Sequence, residues 1–413
     1  MIPVQTARDM VLAQIPVLGA ERLDLLSSLG RILAEDVSAP FDVPPHDNSA
    51  MDGYAVRAQD TTGAAPTQPV VLEVIGDVAA GYISQLSLDA GQAIRIMTGA
   101  PLPDGADAVV RVEDTRRGAG PQVIILQAVP PHYDVRRAGE DFPRGQTLLR
   151  KGTRLRPAEI GVLASVGRSC LAVYQRPQVA ILATGDELVE IDEPLTPGKI
   201  MNSNSYALAA LVAEAGGIPL RLGIARDTRA DLEAKFTQAT RADIIISSGG
   251  VSVGDFDFVK DMLQRDGSEM QFWSVCMKPG KPFAFGRIGG KPLFGLPGNP
   301  VSAMVSFEIF VRPALLHMMG HAHLYRAIVN ATLTEDFHKH DERKHFVRVR
   351  LTRQDDQYRA TLTGAQGSGI LSSMSKANGL AIIDEDRLVV PAGANVPVML
   401  LDAVSAMSAA RPF

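Results

Sequence analysis

The chain has 413 residues, 46% of them hydrophobic and 21% charged, which is typical of a globular protein with two to four domains. Its net charge of −5 provides no basic footprint of the kind that nucleic-acid-binding proteins carry, so we expect no nucleic-acid partner. Its two cysteines, Cys170 and Cys276, exclude a disulfide framework and a cysteine-rich zinc or iron–sulfur site, and they favour a reduced compartment.

The N-terminal third predicts a helical domain with a β-rich insertion. The first ten residues lack the charged-then-apolar pattern of a secretory signal, so we expect a cytoplasmic protein. An amphipathic stretch capped by Thr6 predicts a helical region over residues 6–35, and a second helix is predicted over residues 157–166, with Gly167 just beyond its end. Between them, residues 41–139 are rich in Gly, Pro and short β-type runs, which predicts an inserted β-rich domain.

The segment NSAMDGYAV, residues 48–56, has neither the period of two residues nor that of about 3.6 residues that packing alone would impose. Pro44 and Pro45 stiffen the chain before it, and Gly53 permits a close approach or a positive φ beside Asp52. Two interpretations are open. Asp52 closes an Asx-type turn, or it is a functional carboxylate held beside a glycine.

From residue 179 strands and helices alternate with short links, which predicts a doubly wound parallel α/β domain. The predicted elements in order are strand VAILATG, helix SYALAALVAEAGG, strand IPLRLGIARD, helix RADLEAKFTQATR, strand DIIISSGG, helix FDFVKDMLQRDG and a long helix from Pro300. The apolar region 300–319 contains charged residues and a proline, so we expect a core helix and no membrane span.

From about residue 321 short alternating strands return, which predicts a small C-terminal β-barrel or sandwich. One of these strands contains Arg348-Val349-Arg350, an alternation that predicts arginines on a solvent-facing surface.

Four loops follow the strands of the α/β domain, and in an open α/β sheet the site lies at the carboxyl ends of the strands. They are residues 184–187, 226–228, 247–257 and 296–300. Each loop alone is explained by the turn into a helix, but SSGGVSVG in the third offers N–H groups and hydroxyls where a phosphate could bind. The segment KPGKP, residues 278–282, adds two lysines stiffened by prolines, with a solvated turn as the alternative.

Three acids, Glu187, Asp227 and Asp257, converge with these loops. Carboxylates repel an anionic ligand unless a hard divalent cation lies between them, and Mg²⁺ is usually held by one or two carboxylates plus substrate phosphates. The sequence therefore predicts a metal-assisted phosphoryl or nucleotidyl reaction on an anionic substrate. It contains no HExxH motif or Walker loop that would compete with this interpretation.

Eight motifs, in order across nearly the whole chain, resemble the molybdopterin molybdenumtransferase family, which is also represented by the C-terminal domain of gephyrin. They are NSAMDGYAV, IMTGAP (96–101), GED (139–141), TGDEL (184–188), SSGGVSVGDFD (247–257), KPGKPFAFG (278–286), GLPGNPVS (295–302) and GSGILSSMSKANGL (367–380). The resemblance implies insertion of molybdenum from molybdate into adenylylated molybdopterin, with Mg²⁺ promoting release of AMP. It also implies transient contacts with molybdopterin adenylyltransferase and with the apo-molybdoenzymes that receive the product.

The resemblance further implies an elongated homodimer of four-domain subunits, in which the inserted domain of one subunit, carrying Asp52, meets the α/β domain of the other. The expected domains are a helical dimerisation domain (1–40 and 140–172), a β-rich domain (41–139), an α/β domain (173–320) and a β-barrel (321–413).

The family's functional residues carry over onto matching positions. The expected catalytic acids are Asp52, Asp141, Glu187, Asp227 and Asp257, of which Glu187, Asp227 and Asp257 are the expected Mg²⁺ ligands. The expected substrate-binding residues are Thr184, Gly185, Ser248, Gly249, Gly250, Ser252, Gly254, Lys278, Lys281, Pro297, Gly298, Asn299 and Pro300. Among the latter, Lys278 and Lys281 are expected to neutralise molybdate or phosphate.

Two alternatives remain open. The molybdopterin adenylyltransferase of the same pathway resembles the α/β domain but does not need the other domains. A scaffold or receptor-anchoring module would keep the fold without turnover. Molybdate and tungstate are tetrahedral dianions of similar size, so the sequence does not separate them.

Overall fold

The computed structural model describes residues 1–249, 270–354 and 357–402. The chain divides into two compact units. Residues 22–173 form the first, named here the β-rich unit; residues 1–21 together with residues from Tyr174 onward form the second, named the α/β–barrel unit. The domain boundaries expected from the sequence are finer than this division and stay a prediction.

The β-rich unit is built on a six-stranded sheet. Its strands in spatial order are Ala108–Arg111, Gly53–Val56, Gln92–Ile96, Val70–Val78, Gln122–Ile125 and Thr115–Arg117. Apolar side chains leave both faces of the sheet, so that Ala55 packs in one buried cluster and its neighbour Val56 in another. This unit also contains two short antiparallel strand pairs. They are Val37–Ser38 with Thr147–Leu149 and Asn48–Ser49 with Val135–Arg136.

The helix predicted near residue 157 is confirmed as Pro157–Ser165, with its proline at the first turn. The helical prediction for residues 6–35 is wrong beyond the helix Val4–Leu12, because the strand Ala20–Asp24 and a turn follow it. The carboxylate of Asp24 accepts a 3.0 Å hydrogen bond from the Ser27 N–H, which favours a turn over a helix.

The α/β–barrel unit contains the predicted doubly wound sheet. Four strands are parallel, and in spatial order they are Ile218–Ala225, Gln178–Thr184, Ile244–Ser248 and Lys291–Leu296. Pro282–Ile288 and then Met270–Ser274 extend the same sheet in antiparallel sense. The described helices that cover this sheet include Ser203–Glu214, Arg229–Ala239 and a long one from Pro300 to Met318 that passes through a π-helical turn at Phe307–Val311.

Alternate residues of the strand Gln178–Thr184 serve the two faces of this sheet. Val179 and Ile181 pack in the cluster that holds the helices Ser203–Glu214 and Pro300–Met318. Ala180 and Leu182 pack against the helix Arg229–Ala239 on the opposite face. The short strand therefore has helices on both sides, which explains its almost uninterrupted apolar sequence.

The C-terminal region closes a five-stranded barrel, as predicted. Its strands around the barrel are Lys344–Gln354, Gln357–Leu362, Ile328–Leu333, Asn395–Leu400 and Gly379–Ile383, and the last pairs again with the first. The strand Met277–Lys278 adds to the start of Lys344–Gln354 in parallel register, with Lys278 opposite His345. A pair formed by Phe337–His338 and Val389–Val390 and the helix Ser372–Lys376 complete this part.

In the part of the chain that the structure describes, Pro300–Met318 is long and apolar enough to span a membrane, but 83% of its apolar window is buried inside the protein. It is the core helix that the sequence predicts. Its buried Glu308 is paired with Arg326, whose Nε lies 2.7 Å from the Glu308 carboxylate, and Arg326 also contacts Glu214 at 2.9 Å.

Candidate functional site

A cleft of about 660 Å³ opens at the carboxyl ends of the parallel strands in the α/β–barrel unit. It is named here the acidic cleft, because Glu187 and Asp227 are the charged residues of its described lining. The structure brings together most of the residues expected from the sequence, and those that line the cleft are Thr184, Gly185, Glu187, Asp227, Ser248, Gly249, Pro297, Gly298, Asn299 and Pro300. Gly250, Ser252, Gly254 and Asp257 lie outside the described residues.

A glycine allows one loop of this cleft to approach the neighbouring strand. Gly249 has φ +89°, and a Cβ at this position would lie 2.8 Å from the carbonyl oxygen of Thr184. The loop after Ile244–Ser248 therefore needs glycine where it passes the end of Gln178–Thr184. At Gly298 a Cβ would lie 3.9 Å from the Cα of Gly249, which is an ordinary van der Waals contact.

Asn204 joins the same two loops and was missed by the sequence analysis. Its side-chain amide donates to the hydroxyl of Ser248 at 2.8 Å and to the carbonyl of Gly298 at 2.7 Å. The run Asn202-Ser203-Asn204 before an apolar helix signals a helix N-terminus, and Asn202 does cap Ser203–Glu214 by accepting from the Ser205 N–H. Nothing in that pattern indicates the contacts of Asn204.

The polar groups of the cleft suit an anionic ligand through backbone and hydroxyl donors. The first residues of two helices, Ser203–Glu214 and the one from Pro300, line it, and helix N-termini attract anions. The Thr184 hydroxyl is buried, with 6% of the residue exposed, and has no hydrogen-bond partner among the described residues. A buried hydroxyl without a partner costs free energy, so a ligand that bonds to it is stabilising.

The charged side chains in the described lining of the acidic cleft are carboxylates. Glu187 and Asp227 line it, and none of the described lining residues is Lys, Arg or His. Asp227 is fixed to the loop after Thr184, because the N–H of Asp186 donates to the Asp227 carboxylate at 3.1 Å and the N–H of Asp227 donates back to Asp186 at 3.3 Å. An anion that binds here needs a cation that comes with it.

A second pocket of about 590 Å³ adjoins the first, and the two share Pro282, Pro297 and Asn299 in their walls. It is named here the cationic pocket, because its described lining contains seven basic side chains and no carboxylate. These basic residues are Lys278, Lys281, His338, His340, Arg343, His345 and Arg348. The sequence analysis identified the two lysines but not the five residues that come from the barrel region.

Arg348 corrects one prediction, since it lies inside the protein with 1% of the residue exposed instead of facing solvent. Its guanidinium donates to the Ser373 hydroxyl and to the Gly367 carbonyl, each at 3.1 Å, and neither partner carries a charge. Burial lowers the pKa of Arg348 to about 10, which leaves it cationic at neutral pH. The physical reason for the wrong prediction is that both faces of the strand are covered from His345 to Val349.

Asp52 and Asp141 belong to the β-rich unit, and both are exposed. The N–H and the hydroxyl of Thr98 both donate to one oxygen of Asp52, each at 2.7 Å, so the carboxylate contacts a segment 46 residues away instead of closing an Asx-type turn. These hydrogen bonds, the backbone one foremost, lower the pKa of Asp52 below its ordinary 3.8. Beside it a Cβ at Gly53 would lie 2.1 Å from the Val110 carbonyl, so the close approach expected there is confirmed.

Comparisons with known proteins agree with this arrangement. Residues 2–167 match the MoeA N-terminal region (domain I and II), residues 180–317 a probable molybdopterin binding domain, and residues 330–401 the MoeA C-terminal region (domain IV). Molybdopterin molybdenumtransferase 2 of Mycobacterium tuberculosis is 43% identical over 91% of this chain and 93% of its own length. The molybdopterin molybdenumtransferase of a Nostoc species is 39% identical over 97% and 94%.

A solved structure gives the same result for the fold. The molybdopterin biosynthesis moea protein from Pyrococcus horikosii superposes with a TM-score of 0.85 at 34% identity, over 97% of this chain and 99% of that one. Sequence relatives at this identity and coverage, together with three consecutive family matches, establish the family. The chain belongs to the molybdopterin molybdenumtransferase family, a family of transferases that insert molybdenum during molybdenum cofactor biosynthesis.

Proposed function

We propose that this enzyme transfers molybdenum from molybdate to adenylylated molybdopterin, with Mg²⁺, and releases AMP. The observation that carries the proposal is the pairing of two adjoining pockets of opposite charge. One is acidic and rich in hydroxyl and amide groups, and the other is lined by seven basic side chains. The reaction brings together two anionic substrates, and we assign one pocket to each of them.

The acidic cleft suits the pterin nucleotide. Its volume of about 660 Å³ lies in the ordinary range for small-molecule sites. Two helix N-termini and the hydroxyl of Thr184, for which the described residues offer no hydrogen-bond partner, are suitable donors for phosphate oxygens. Ser248, Gly249 and Asn204 form the floor on which the pterin or the AMP moiety would lie.

Glu187 and Asp227 would hold Mg²⁺. The described residues contain no group of three or more His, Cys, Asp or Glu side chains that could hold a metal by themselves. Mg²⁺ typically takes one or two carboxylates and completes its shell with water and substrate phosphates, and the two acids of the cleft fit that donor set. Bound there, the ion would neutralise the pyrophosphate and stabilise the charge that develops on AMP as it leaves. Asp257 remains the predicted third acid.

The cationic pocket suits molybdate. A tetrahedral dianion needs several donors around it, which Lys278, Lys281 and the buried Arg348 provide. An arginine whose protein partners are uncharged keeps its full positive charge, so it attracts an oxyanion strongly in a partly buried site. Asn299 lies in the walls of both pockets, and molybdate is expected to pass it on the way to the pterin.

The two acids of the β-rich unit are assigned to water and proton handling as oxygen leaves molybdate. The Thr98 hydrogen bonds lower the pKa of Asp52, so its carboxylate is anionic at neutral pH and can accept hydrogen bonds from water. A homodimer, transient contacts with molybdopterin adenylyltransferase and with apo-molybdoenzymes, and a cytoplasmic location are part of the same proposal, and their support is the family resemblance.

The test is AMP release from adenylylated molybdopterin by the purified protein with Mg²⁺, with and without molybdate, and with activation of an apo-molybdoenzyme as a parallel readout. Molybdate-dependent AMP release with activation is the expected result. Tight binding of the pterin nucleotide without turnover would instead identify a carrier or scaffold, and turnover that needs ATP would identify an adenylyltransferase.

A further inference from the structure

One carboxylate lies against the basic side chains of the cationic pocket. Asp341 is bound by both Nε and Nη2 of Arg343, at 3.0 and 2.8 Å, and by Nε2 of His345 at 3.0 Å. Its Oδ2 also lies 3.4 Å from Nζ of Lys278. All three partners line the pocket. Asp341 is not part of the described lining, but it already neutralises part of the positive charge of the pocket before any substrate arrives.

The contacts of Asp341 differ in strength. The Arg343 guanidinium holds it with two short, parallel hydrogen bonds, which is the strong geometry for a carboxylate. The Lys278 ammonium makes one long contact, and its side chain is 45% exposed, so this contact is the weakest of the set. Lysine also carries its charge on a flexible stem, whereas the arginine fork is rigid.

The fold fixes which contact can be exchanged. Lys278 lies opposite His345 in the strand pair that joins Met277–Lys278 to Lys344–Gln354. This pairing fixes the backbone of Lys278 beside the pocket. Its side chain can turn from Asp341 towards a ligand without any change in the backbone. Hydrogen bonds from Arg343, opposed by partial burial, hold the pKa of Asp341 well below its usual range, so this carboxylate stays anionic throughout.

We propose that Asp341 is an internal counter-anion of the molybdate pocket. An incoming tetrahedral oxyanion replaces Asp341 as the partner of Lys278. This inference rests on the proposed function, because it assumes that the cationic pocket binds molybdate. Asp341 orders the basic residues while no oxyanion is bound and weakens oxyanion binding by competing for Lys278. Weak ground-state binding suits a substrate that must leave the pocket to react, because tight binding of the ground state does not accelerate the chemical step.

The experiment measures molybdate binding to the full-length protein by equilibrium dialysis at low ionic strength. Asp341→Asn removes the charge and keeps the shape, and we expect it to bind molybdate about threefold to tenfold more tightly than the unaltered protein. Glu342→Gln is the matched control, since this exposed neighbour loses the same charge, and we expect a change below about twofold. If Asp341→Asn does not fold, as judged by circular dichroism, Asp341→Ser replaces it with the same expected gain.

Two further measurements identify the mechanism. In a Lys278→Gln background the gain from Asp341→Asn should fall to less than half, because the competition has been removed. In the AMP-release assay Asp341→Asn should lower the KM for molybdate without raising kcat.

The outcomes separate this inference from the function on which it rests. If the unaltered protein binds molybdate and Asp341→Asn binds it equally or more weakly, Asp341 only positions Arg343 and His345, and the inference is overturned while the pocket assignment stands. An equal gain from Glu342→Gln, or a gain that persists in full without Lys278, also overturns it. If the unaltered protein binds no molybdate, the pocket assignment fails and the inference fails with it.

Discussion

The side-chain amide of Asn204 donates a 2.8 Å hydrogen bond to the hydroxyl of Ser248. The same amide nitrogen donates at 2.7 Å to the carbonyl of Gly298. One side chain at the start of a helix thus ties together two loops that follow different strands, and both loops line the acidic cleft. The shape of the cleft floor depends on this connection.

Asn204→Ala should therefore weaken binding of the pterin nucleotide by up to about thirtyfold, because two hydrogen bonds of about 1 kcal/mol each, which hold the floor of the cleft, are lost. Molybdate binding should change by less than about twofold. The measurement is calorimetric titration with each ligand. Asn330→Ala, at an exposed position of the barrel strand Ile328–Leu333, is the control and should leave both affinities unchanged. Unchanged nucleotide affinity in Asn204→Ala would show that the loops hold their positions without it.

Gly249→Ala should abolish nucleotide binding. The added Cβ would lie 2.8 Å from the Thr184 carbonyl, so the loop must move away from the strand Gln178–Thr184. Gly63→Ala is a matched control, because Gly63 has a similar φ of +81° but no atom within 4 Å of the added Cβ. Both variants carry the backbone cost of about 1–2 kcal/mol in this region, and only the first should lose the ligand. Nucleotide binding by Gly249→Ala would contradict the close-approach argument.

Thr98→Val should raise the pKa of Asp52. The folded-state pKa of this acid is lowered by the Thr98 hydrogen bonds, so its contribution to stability is present above pH 3.8 and is lost as the pH falls through the lower folded value. Carboxyl NMR of aspartate-labelled protein measures the titration, with Asp52→Asn to assign the signal. The midpoint should lie below 3.8 in the unaltered protein and move towards 3.8 in Thr98→Val. The backbone N–H of residue 98 remains in this variant, so an unmoved midpoint would mean that the Thr98 hydroxyl does not lower the pKa of Asp52.

Arg326→Leu should destabilise the α/β–barrel unit by about 3–5 kcal/mol, because it leaves Glu308 buried without its closest cation. Glu308 is 2% exposed, and Arg326 binds it through two nitrogens. Arg229→Leu is the control, since the Arg229–Glu233 pair is 41% and 43% exposed and should contribute less than about 1 kcal/mol. Calorimetric unfolding of the full-length protein compares the two. Equal effects would show that burial does not distinguish these pairs.

Much of the α/β sheet and its site could be predicted from the sequence. Strands such as Gln178–Thr184 are short apolar runs ended by glycines, and helices such as Ser203–Glu214 begin at a cap and end at glycine. The rule that sites lie at the carboxyl ends of parallel strands then selects Thr184, Ser248 and Gly249. These signals depend only on residues that are close in sequence, so they can be interpreted without knowledge of the fold.

One error concerns a local side-chain contact, and the other error and the omissions concern contacts between distant segments. The recurring leucines of residues 20–35 are typical of a helix, whereas the Asp24 side chain closes a turn there. Arg348 looked solvent-facing because arginines alternate with valine, whereas the barrel covers both sides of its strand. The register that sets Lys278 opposite His345 brings the barrel's basic residues to the KPGKP loop. No period or motif in a single chain encodes that register.

The claim that two adjoining pockets of opposite charge bind two different anions is tested most directly by Lys281→Gln. Lys281 lines only the cationic pocket of the two. Removing its charge should weaken molybdate binding by about tenfold, as expected for a charge-assisted contact of about 1.5 kcal/mol, and should change pterin-nucleotide binding by less than twofold. Both affinities are measured on the same preparation by equilibrium dialysis. Equal losses for the two ligands, or an unchanged affinity for molybdate, would contradict the assignment.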